Sequence, residues 1–190
     1  MAQTSIDTLI RNILSDLRVE LTDEFDQNFA RQSYFGRAWQ RRKSPLRDGA
    51  LLQDKGRLRK SIRSRVADSG VTFSSSLPYA TIHNEGGEIE VTAKMKQYFW
   101  AKYYEVTGST TRRKDGTASR SKRNIAKTAA AEFYQRMALM KVGQKIQIPQ
   151  RQFIGGGPEV ETIVRGIIDE NLNEYLTQYE NAKRILPGRQ

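Results

Sequence analysis

The sequence of 190 residues contains no cysteine and a single histidine. Without cysteine the chain can form no disulfide, no thiolate zinc site and no iron–sulfur cluster, and it has no cysteine nucleophile. The lone His83 argues against a histidine-based metal site, because such a site needs three or four converging ligands. We therefore expect neither a metal ion nor another cofactor.

Long apolar runs are also missing. No run approaches the roughly 20 residues that a membrane helix requires, and the first residues lack the basic start and the apolar stretch of a signal peptide. We expect a soluble protein that is made in the cytoplasm and has no membrane partner. With 37% hydrophobic residues the chain can bury a core, and we predict one globular domain over residues 1–190.

The charge of the chain is one-sided, with 32 Lys and Arg against 21 Asp and Glu and a net charge of +11. The excess is not spread evenly, because residues 31–65 carry +10 and residues 107–123 carry +5, whereas residues 1–30 carry −4. Such segregation is typical of a surface for an anionic partner, which is either nucleic acid or an acidic face of another protein.

Two long amphipathic helices are predicted, one near each end of the chain. Ser5 is the expected cap of the first helix, and Pro158 is expected to open the last one, since proline is well suited to a first helical position. In both segments apolar residues recur at steps of three and four, which predicts one buried stripe per helix. The first stripe consists of Ile6, Leu9, Ile10, Ile13, Leu17, Leu21, Phe25 and Phe29. The second consists of Val160, Ile163, Val164, Ile167, Ile168, Leu172, Tyr175 and Tyr179.

Between these helices the apolar period changes to two. Residues 58–66 alternate in this way, so we predict a strand whose outer face carries Arg59, Arg63 and Arg65. Asp68-Ser69-Gly70 has the composition of a turn, after which the chain returns as the second strand of a hairpin. The other strands are predicted at 71–74, 88–92 and 145–148.

The middle of the chain is predicted to contain a helical insertion at about 94–143. Its helices cover 94–106, which is unusually aromatic, and 125–140. The stretch between them is rich in Gly, Ser, Thr, Arg and Lys, and we predict a mobile loop. The predicted fold class is therefore α+β: a small antiparallel sheet packed against long N- and C-terminal amphipathic helices, with an aromatic and basic helical insertion.

Residues that suggest a chemical reaction are few. His83 lies beside Asn84 and Glu85, and this trio admits a general base or a metal ligand, but no second histidine exists to complete a metal site. The simpler interpretation is a partly buried, hydrogen-bonded histidine at the end of a helical turn. Gly155-Gly156-Gly157 precedes a helix without the Lys-Ser/Thr ending of a phosphate-binding loop, so a flexible turn explains it better.

Basic side chains form the strongest remaining signal. One group in the insertion is able to neutralise phosphates, the predicted stripe of Arg59, Arg63 and Arg65 forms a second group, and aromatic residues at 98–104 are able to stack on bases. The alternative is that the charges belong to solvated loops and that the aromatic residues form core or subunit contacts. The group in the insertion consists of Arg112, Arg113, Lys114, Arg120, Lys122 and Arg123.

Three short motifs follow one another along the chain, after Trp39 in a basic stretch. They are Leu58-Arg59-Lys60-Ser61-Ile62, Tyr79-Ala80-Thr81-Ile82-His83-Asn84-Glu85-Gly86-Gly87 and Arg151-Gln152-Phe153-Ile154-Gly155. In this order, over about residues 25–180, the chain resembles the phage virion morphogenesis family. The positions that fill the family pattern are Trp39, Gly56, Leu58, Ser61, Ile62, Tyr79, His83, Asn84, Gly86, Gly87, Arg151, Phe153 and Gly155.

The resemblance implies a non-enzymatic structural protein of a tailed bacteriophage. It implies action in tail completion or at the head–tail (neck) junction, within the virion, with assembly in the host cytoplasm. The implied partners are copies of the same chain in a ring, and neighbouring tail, tail-terminator or connector proteins. The motif residues then support the fold: the ring of Tyr79 packs, His83 and Arg151 satisfy loop carbonyls or carboxylates, and the paired glycines permit a tight turn.

Two other functions remain open at this point. A nucleic-acid-binding accessory protein would use the basic segments for non-specific DNA contact, and its binding would weaken steeply with salt. A hydrolase would act through His83 and Glu85, and it would lose its activity when His83 is replaced. The isolation of this histidine argues against the hydrolase.

Overall fold

The structure of the chain is a computed structural model that describes residues 6–42, 44–46, 49–67 and 70–185. The chain divides into two compact units, each built from separate stretches. The first unit comprises Met1–Trp39, Leu52–Ala80 and Gln152–Gln190, and the second comprises Gln40–Leu51 and Thr81–Arg151. The sequence-based expectation of a single domain stays a prediction.

Helices dominate the described residues, and the long helices predicted near the two ends are confirmed. So is the pair predicted in the insertion. The helices are α1 (Ile6–Arg31), α2 (Arg57–Ser61), α3 (Ala80–Glu85), α4 (Ala93–Gly108), α5 (Lys122–Leu139) and α6 (Pro158–Ile185). The strands are β1 (Ser33–Tyr34), β2 (Arg37–Ala38), β3 (Ile62–Ala67), β4 (Gly70–Ser75), β5 (Gly87–Glu90) and β6 (Lys145–Ile148). Ser5, the expected cap of α1, lies outside the described residues.

The strands pair antiparallel in three separate two-stranded sheets, β1–β2, β3–β4 and β5–β6. In the β3–β4 hairpin Ile62 lies opposite Ser75 and Ala67 lies opposite Gly70. The predicted turn residues 68 and 69 are outside the described part of the chain. The α+β class is confirmed, but the single small sheet that we expected is replaced by three ribbons.

Residues 58–61 do not form the start of a strand, as the alternation predicted. They belong to the short helix α2, and the extended backbone begins only at Ile62. Gly56 stands before this helix with φ +68°, a left-handed conformation that glycine adopts without steric cost. The Ser61 Oγ donates to the Leu58 carbonyl at 2.7 Å, as residues three apart on a helix can. Four alternating residues are too few to distinguish one helical turn from a strand.

The core of the first unit lies between α1, α6 and the β3–β4 hairpin. Leu21, Phe25 and Tyr34 are buried, and Val160 and Ile163 of α6 pack against them. The rings of Phe25 and Phe73 meet edge to face with centroids 4.8 Å apart, which joins β4 to α1. These contacts confirm that a small sheet packs on the terminal helices.

The helices α1 and α6 run antiparallel. The C-terminal half of α1 meets the N-terminal half of α6 in the core, and further along the pair Asn171 donates to Asp16 at 3.0 Å. As the residue number falls along α1 it rises along α6. The first turns of α1 and the last turns of α6 therefore lie at the same end of the helix pair.

In the second unit α4 and α5 form a helical hairpin beside the β5–β6 ribbon. Small side chains occupy its interior, with Ala131 and Ala138 buried on α5. The rings of Phe99 on α4 and Tyr134 on α5 are 6.4 Å apart. Alanine at the contact lets two helices approach closely, so the hairpin holds together without a large apolar core.

The loop between α4 and α5 forms hydrogen bonds within itself, and its predicted mobility stays a prediction. Arg112 and Ala118 form an isolated antiparallel bridge. The buried Asn124 accepts a hydrogen bond from the Thr111 amide at 2.9 Å and donates to the Ser119 carbonyl at 2.8 Å. The low apolar content predicts that little of this loop is buried. It does not predict that the side chain of one asparagine hydrogen-bonds to backbone on both sides of the turn.

Candidate functional site

Trp39 and Phe153, which belong to different sequence motifs, meet in one buried aromatic cluster. Phe29 of α1 lies between them, with ring centroids 5.7 Å from Trp39 and 5.1 Å from Phe153. The indole Nε1 of Trp39 donates to the Gln152 carbonyl at 2.7 Å. This cluster ties the start of the basic stretch and the segment before α6 to the end of α1.

Asn28 is a buried polar residue that the sequence reasoning missed. Its Oδ1 accepts from the Phe35 amide at 3.0 Å, and its Nδ2 donates to the Phe153 carbonyl at 3.4 Å. A polar residue inside the apolar stripe between Phe25 and Phe29 was the available signal. Because buried backbone groups must be hydrogen-bonded, Asn28 replaces water for two of them.

Arg59 does not share a strand face with Arg63 and Arg65. It lies on α2 and forms a two-pronged ion pair with Asp26 of α1. The hydrogen bond from Arg59 lowers the pKa of the Asp26 carboxyl, and the same bond raises the pKa of Arg59. Arg63 and Arg65 are exposed on β3, so the predicted basic stripe is reduced to two residues.

His83 of the second motif and Arg151, the first residue of the third motif, meet in the second unit. The amide of Arg151 donates to the His83 carbonyl at 2.7 Å, and its Nε donates to the Gln40 carbonyl at 3.0 Å. Burial lowers the pKa of His83, and the positive charge of Arg151 lowers it further. Burial and the charge of Arg42 likewise lower the pKa of Arg151. Arg151 thus satisfies a loop carbonyl, in line with the role that the resemblance implied.

Gly86 marks the tight point of this arrangement. Its φ is +74°, and a Cβ placed on it would lie 2.8 Å from the Gln150 amide nitrogen and 3.1 Å from the Ile148 carbonyl oxygen. Glycine is therefore required for both conformation and space. Asn84 is half-buried and Gly87 is exposed nearby in the sequence.

Two other motif residues take different positions. Gly155 presents its carbonyl to the Tyr34 hydroxyl at 2.5 Å, and burial raises the pKa of Tyr34 to about 12. Tyr79 is 38% exposed and therefore lies at the surface and not in the core. The motif residues are therefore mainly structural in position, with Tyr79 left at the surface.

The aromatic residues of α4 are mostly outside the core. Tyr98 and Tyr104 are exposed, and Trp100 stacks on Tyr104 with ring centroids 5.8 Å apart. No residue of α4 is fully buried. The six basic residues between positions 112 and 123 are also exposed.

The described residues offer neither a metal site nor a membrane-spanning helix. Across residues 6–42, 44–46, 49–67 and 70–185, no three His, Asp or Glu side chains lie close enough to hold a metal ion. In this part of the chain, no helix has both the length and the apolar character needed to cross a bilayer. A shallow depression of about 350 Å³ is lined by Asp26, Gln53, Gly56, Arg59 and Lys60.

The structure defines an α+β protein in which motif residues such as Trp39, Arg151 and Phe153 are buried, while the basic side chains at 112–123 are exposed. The sequence profile of the phage virion morphogenesis family matches residues 3–173, and the chain belongs to this family. No curated protein and no solved structure matches the chain. Family membership supports a role in phage morphogenesis as a virion-associated protein, and it suggests a structural role.

Proposed function

We propose that this chain is a non-enzymatic structural protein that acts in tail completion or at the head–tail junction. It assembles with copies of itself into a ring and contacts neighbouring tail, tail-terminator or connector proteins. The observation that carries this proposal is an apolar surface at the free end of the α1–α6 pair. Family membership supplies the context of virion morphogenesis.

The apolar stripes of α1 and α6 continue past the point where the core ends. Leu17, Leu21 and Phe25 of the first stripe are buried, but Ile6 and Ile10 on the same face of α1 are exposed. The side chains in the exposed part of the two helices are 39% to 65% accessible. They are Ile6, Ile10, Leu172, Leu176 and Tyr179.

These five side chains lie at one end of the first unit because α1 and α6 are antiparallel. We define them as the arm surface. A contiguous exposed apolar patch is typical of a protein–protein contact, whereas single exposed apolar residues are ordinary. If the arm surface meets a different patch on the next copy, the repeated heterologous contact closes into a ring when the rotation permits it.

The arm surface is tested by changing it without touching the core. The triple variant Ile10→Ser, Leu176→Ser, Tyr179→Ser of the full chain is compared with Val19→Ser, which alters a 61% exposed residue on the opposite face of α1. In sedimentation velocity we expect the wild type and the control to form the same oligomer and the triple variant to remain monomeric.

The role in the virion is tested by complementation of a phage that lacks the gene. We expect the triple variant to leave unjoined heads and tails in electron micrographs and the Val19→Ser control to restore infectious particles. A wild-type protein that stays monomeric alone and with its tail and connector neighbours would contradict the proposal.

A further inference from the structure

The net positive charge of the chain lies in the second unit. That unit contains 18 Lys and Arg against seven Asp and Glu, a net charge of +11, while the first unit contains 14 of each and is neutral. Within the second unit, residues 93–139 alone carry 11 basic and three acidic side chains. The α4–α5 hairpin is therefore the most basic element of the chain.

The end of this hairpin displays its charges on a turn that is hydrogen-bonded within itself. We define residues 109–123 as the basic tip. The Arg112–Ala118 bridge closes the turn, and the Arg113 amide donates to the Thr117 carbonyl at 2.7 Å. Asn124 holds the base of the tip from the first turn of α5. Hydrogen bonds that restrain a turn reduce the conformational entropy that it loses when a partner binds.

Neutralising partners for these charges are lacking within the part of the chain that the structure describes. There, Arg113, Lys114, Arg120, Lys122 and Arg123 form no ion pair with any carboxylate. The one acidic residue of the tip, Asp115, accepts hydrogen bonds from the amide and the hydroxyl of Thr117, at 2.9 and 2.6 Å. It serves the turn and leaves the cations facing solvent.

Lys122 and Arg123 occupy an unfavourable place on their helix. They lie in the first turn of α5, which contains no acidic residue. The positive end of the helix dipole and the free backbone amides favour an anion at this place and oppose a cation. An anion bound at the tip would offset the repulsion between these cations and the helix dipole. It would also interact favourably with the nearby arginines.

The composition of the tip distinguishes between the two kinds of anionic partner. Apart from the cations it consists of Ser, Thr, Gly and Asp115, and Ala118 is its only apolar residue. The centre of a protein–protein interface is enriched in aromatic and apolar anchors, which the tip lacks. A surface for nucleic-acid phosphates is polar, strongly basic and rich in hydroxyl donors.

We propose that the basic tip binds the phosphate backbone of double-stranded DNA without sequence preference. Arg112, Arg113, Arg120 and Arg123 supply charged hydrogen bonds to phosphate oxygens, and the start of α5 adds backbone amides. Phosphate contacts carry no sequence information, so we expect no preference for any DNA sequence. The proposal goes beyond the ring assembly and does not depend on it.

The test uses the full-length protein and a fluorescein-labelled 25-bp duplex of arbitrary sequence. Binding is followed by fluorescence anisotropy between 50 and 300 mM KCl. The tip variant combines Arg112→Gln, Arg113→Gln, Arg120→Gln and Arg123→Gln. Because each phosphate contact adds about 0.9 to the salt slope, we expect a slope shallower by about 2 to 4 and affinity at least about 100-fold weaker at 0.1 M salt.

A control variant removes the same charge from exposed positions of the first unit. It combines Arg11→Gln, Arg18→Gln, Arg57→Gln and Arg165→Gln, and we expect its affinity to stay within about threefold of the wild type, since these arginines are not part of the basic tip. Replacing the four tip arginines by lysine keeps the charge and should restore most of the binding. This variant separates a loss of charge from a loss of folding.

Several results would overturn the proposal. They are the absence of wild-type duplex binding at 0.1 M salt, an equal loss in both glutamine variants, or failure of the folded lysine variant to bind. A tip variant that keeps its DNA affinity but no longer forms the oligomer would assign the tip to an acidic protein surface instead. Sedimentation of the same samples reports on ring assembly separately, so the two proposals can fail independently.

Discussion

Asn28 and Arg151 each join stretches of chain that are far apart in sequence. Asn28 connects α1 to the segment before α6, and Arg151 connects the β6 side of the second unit to Gln40 and His83. Both side chains act on backbone groups. These two side chains stabilise the fold because a backbone group buried without a hydrogen bond costs free energy.

Replacing Asn28 by Ala should lower the free energy of unfolding by about 1–3 kcal/mol, because the Phe35 amide and the Phe153 carbonyl lose their partner. Urea denaturation of the full chain measures the change. Asn12→Ala is the matched control on the exposed side of α1, and it should leave stability unchanged or slightly raised, since alanine favours a helix. Equal destabilisation by both changes would contradict the role of Asn28.

His83 should titrate below its ordinary pKa of 6.5, because burial and Arg151 disfavour its charged form. The chain has one histidine, so a single imidazole signal in proton NMR reports this pKa directly. A measured pKa at or above 6.5 would contradict the environment described for His83.

The same shift makes stability depend on pH. As the pH falls below about 6.5 the unfolded chain takes up a proton on His83 before the folded chain does. The free energy of unfolding should therefore decrease with falling pH, down to the lower pKa of the folded state. Chemical denaturation between pH 5 and 7.5 should show a weaker decrease in the His83→Gln variant than in the wild type.

At the scale of elements, local sequence signals identified the long helices and the β3–β4 hairpin but misread α2. The long helices repeat their apolar pattern over many turns, and the hairpin alternates on both sides of a turn. At residues 58–61 the pattern is too short, and burial of Leu58 together with the backbone of Gly56 decides the conformation. Short elements are set by their surroundings.

The turn after α3 should not tolerate alanine. Gly86→Ala places a Cβ 2.8 Å from the Gln150 amide nitrogen in a left-handed conformation, and we expect a loss of more than about 2 kcal/mol in the free energy of unfolding. Gly166→Ala is the control, because this helical glycine has nothing within 4 Å of the added Cβ and should gain about 0.5–1 kcal/mol. Thermal and urea denaturation of both variants measure the contrast.

The first turn of α5 should be stabilised by reversing one charge. Lys122→Glu places an anion at the positive end of the helix, and the free energy of unfolding should rise by about 0.5–1 kcal/mol at low salt. Lys141→Glu, placed just past the other end of α5, should lower it. If Lys122→Glu destabilises the protein, the claim that the helix dipole disfavours Lys122 and Arg123 in the first turn of α5 is wrong.

At the scale of the whole molecule, the neutral first unit carries the arm surface and the second unit carries the net charge of +11. Copies that gather through apolar contacts bring these charges together, and salt reduces their repulsion. Phosphate contacts respond to salt in the opposite sense, because each one releases a counterion.

Self-association of the wild-type protein should therefore strengthen as KCl rises from 50 to 300 mM, while binding to duplex DNA weakens over the same range. Sedimentation velocity and fluorescence anisotropy at matched salt concentrations measure the two trends. Self-association that weakens with salt would show that contacts between opposite charges, and not the arm surface, hold the copies together.

The sequence alone determined the class of fold, the long helices, the basic insertion and the motifs that place the chain in its family. These features depend on local periodicity and composition, which a single chain records directly. Trp39, Phe153 and Arg151 were identified as fold-supporting by the resemblance, and the structure puts them in buried positions.

Only the tertiary structure determined which charged side chains form ion pairs within the chain and which do not. Arg59 pairs with Asp26, 33 residues away, while the arginines of the basic tip meet no carboxylate among the described residues. It also determined that Asn28 and Asn124 each hydrogen-bond to backbone of two separate segments, and that Ile6, Ile10, Leu172 and Tyr179 of the two apolar stripes stay exposed. Pairing and burial depend on distances between residues far apart in sequence, which no local pattern contains.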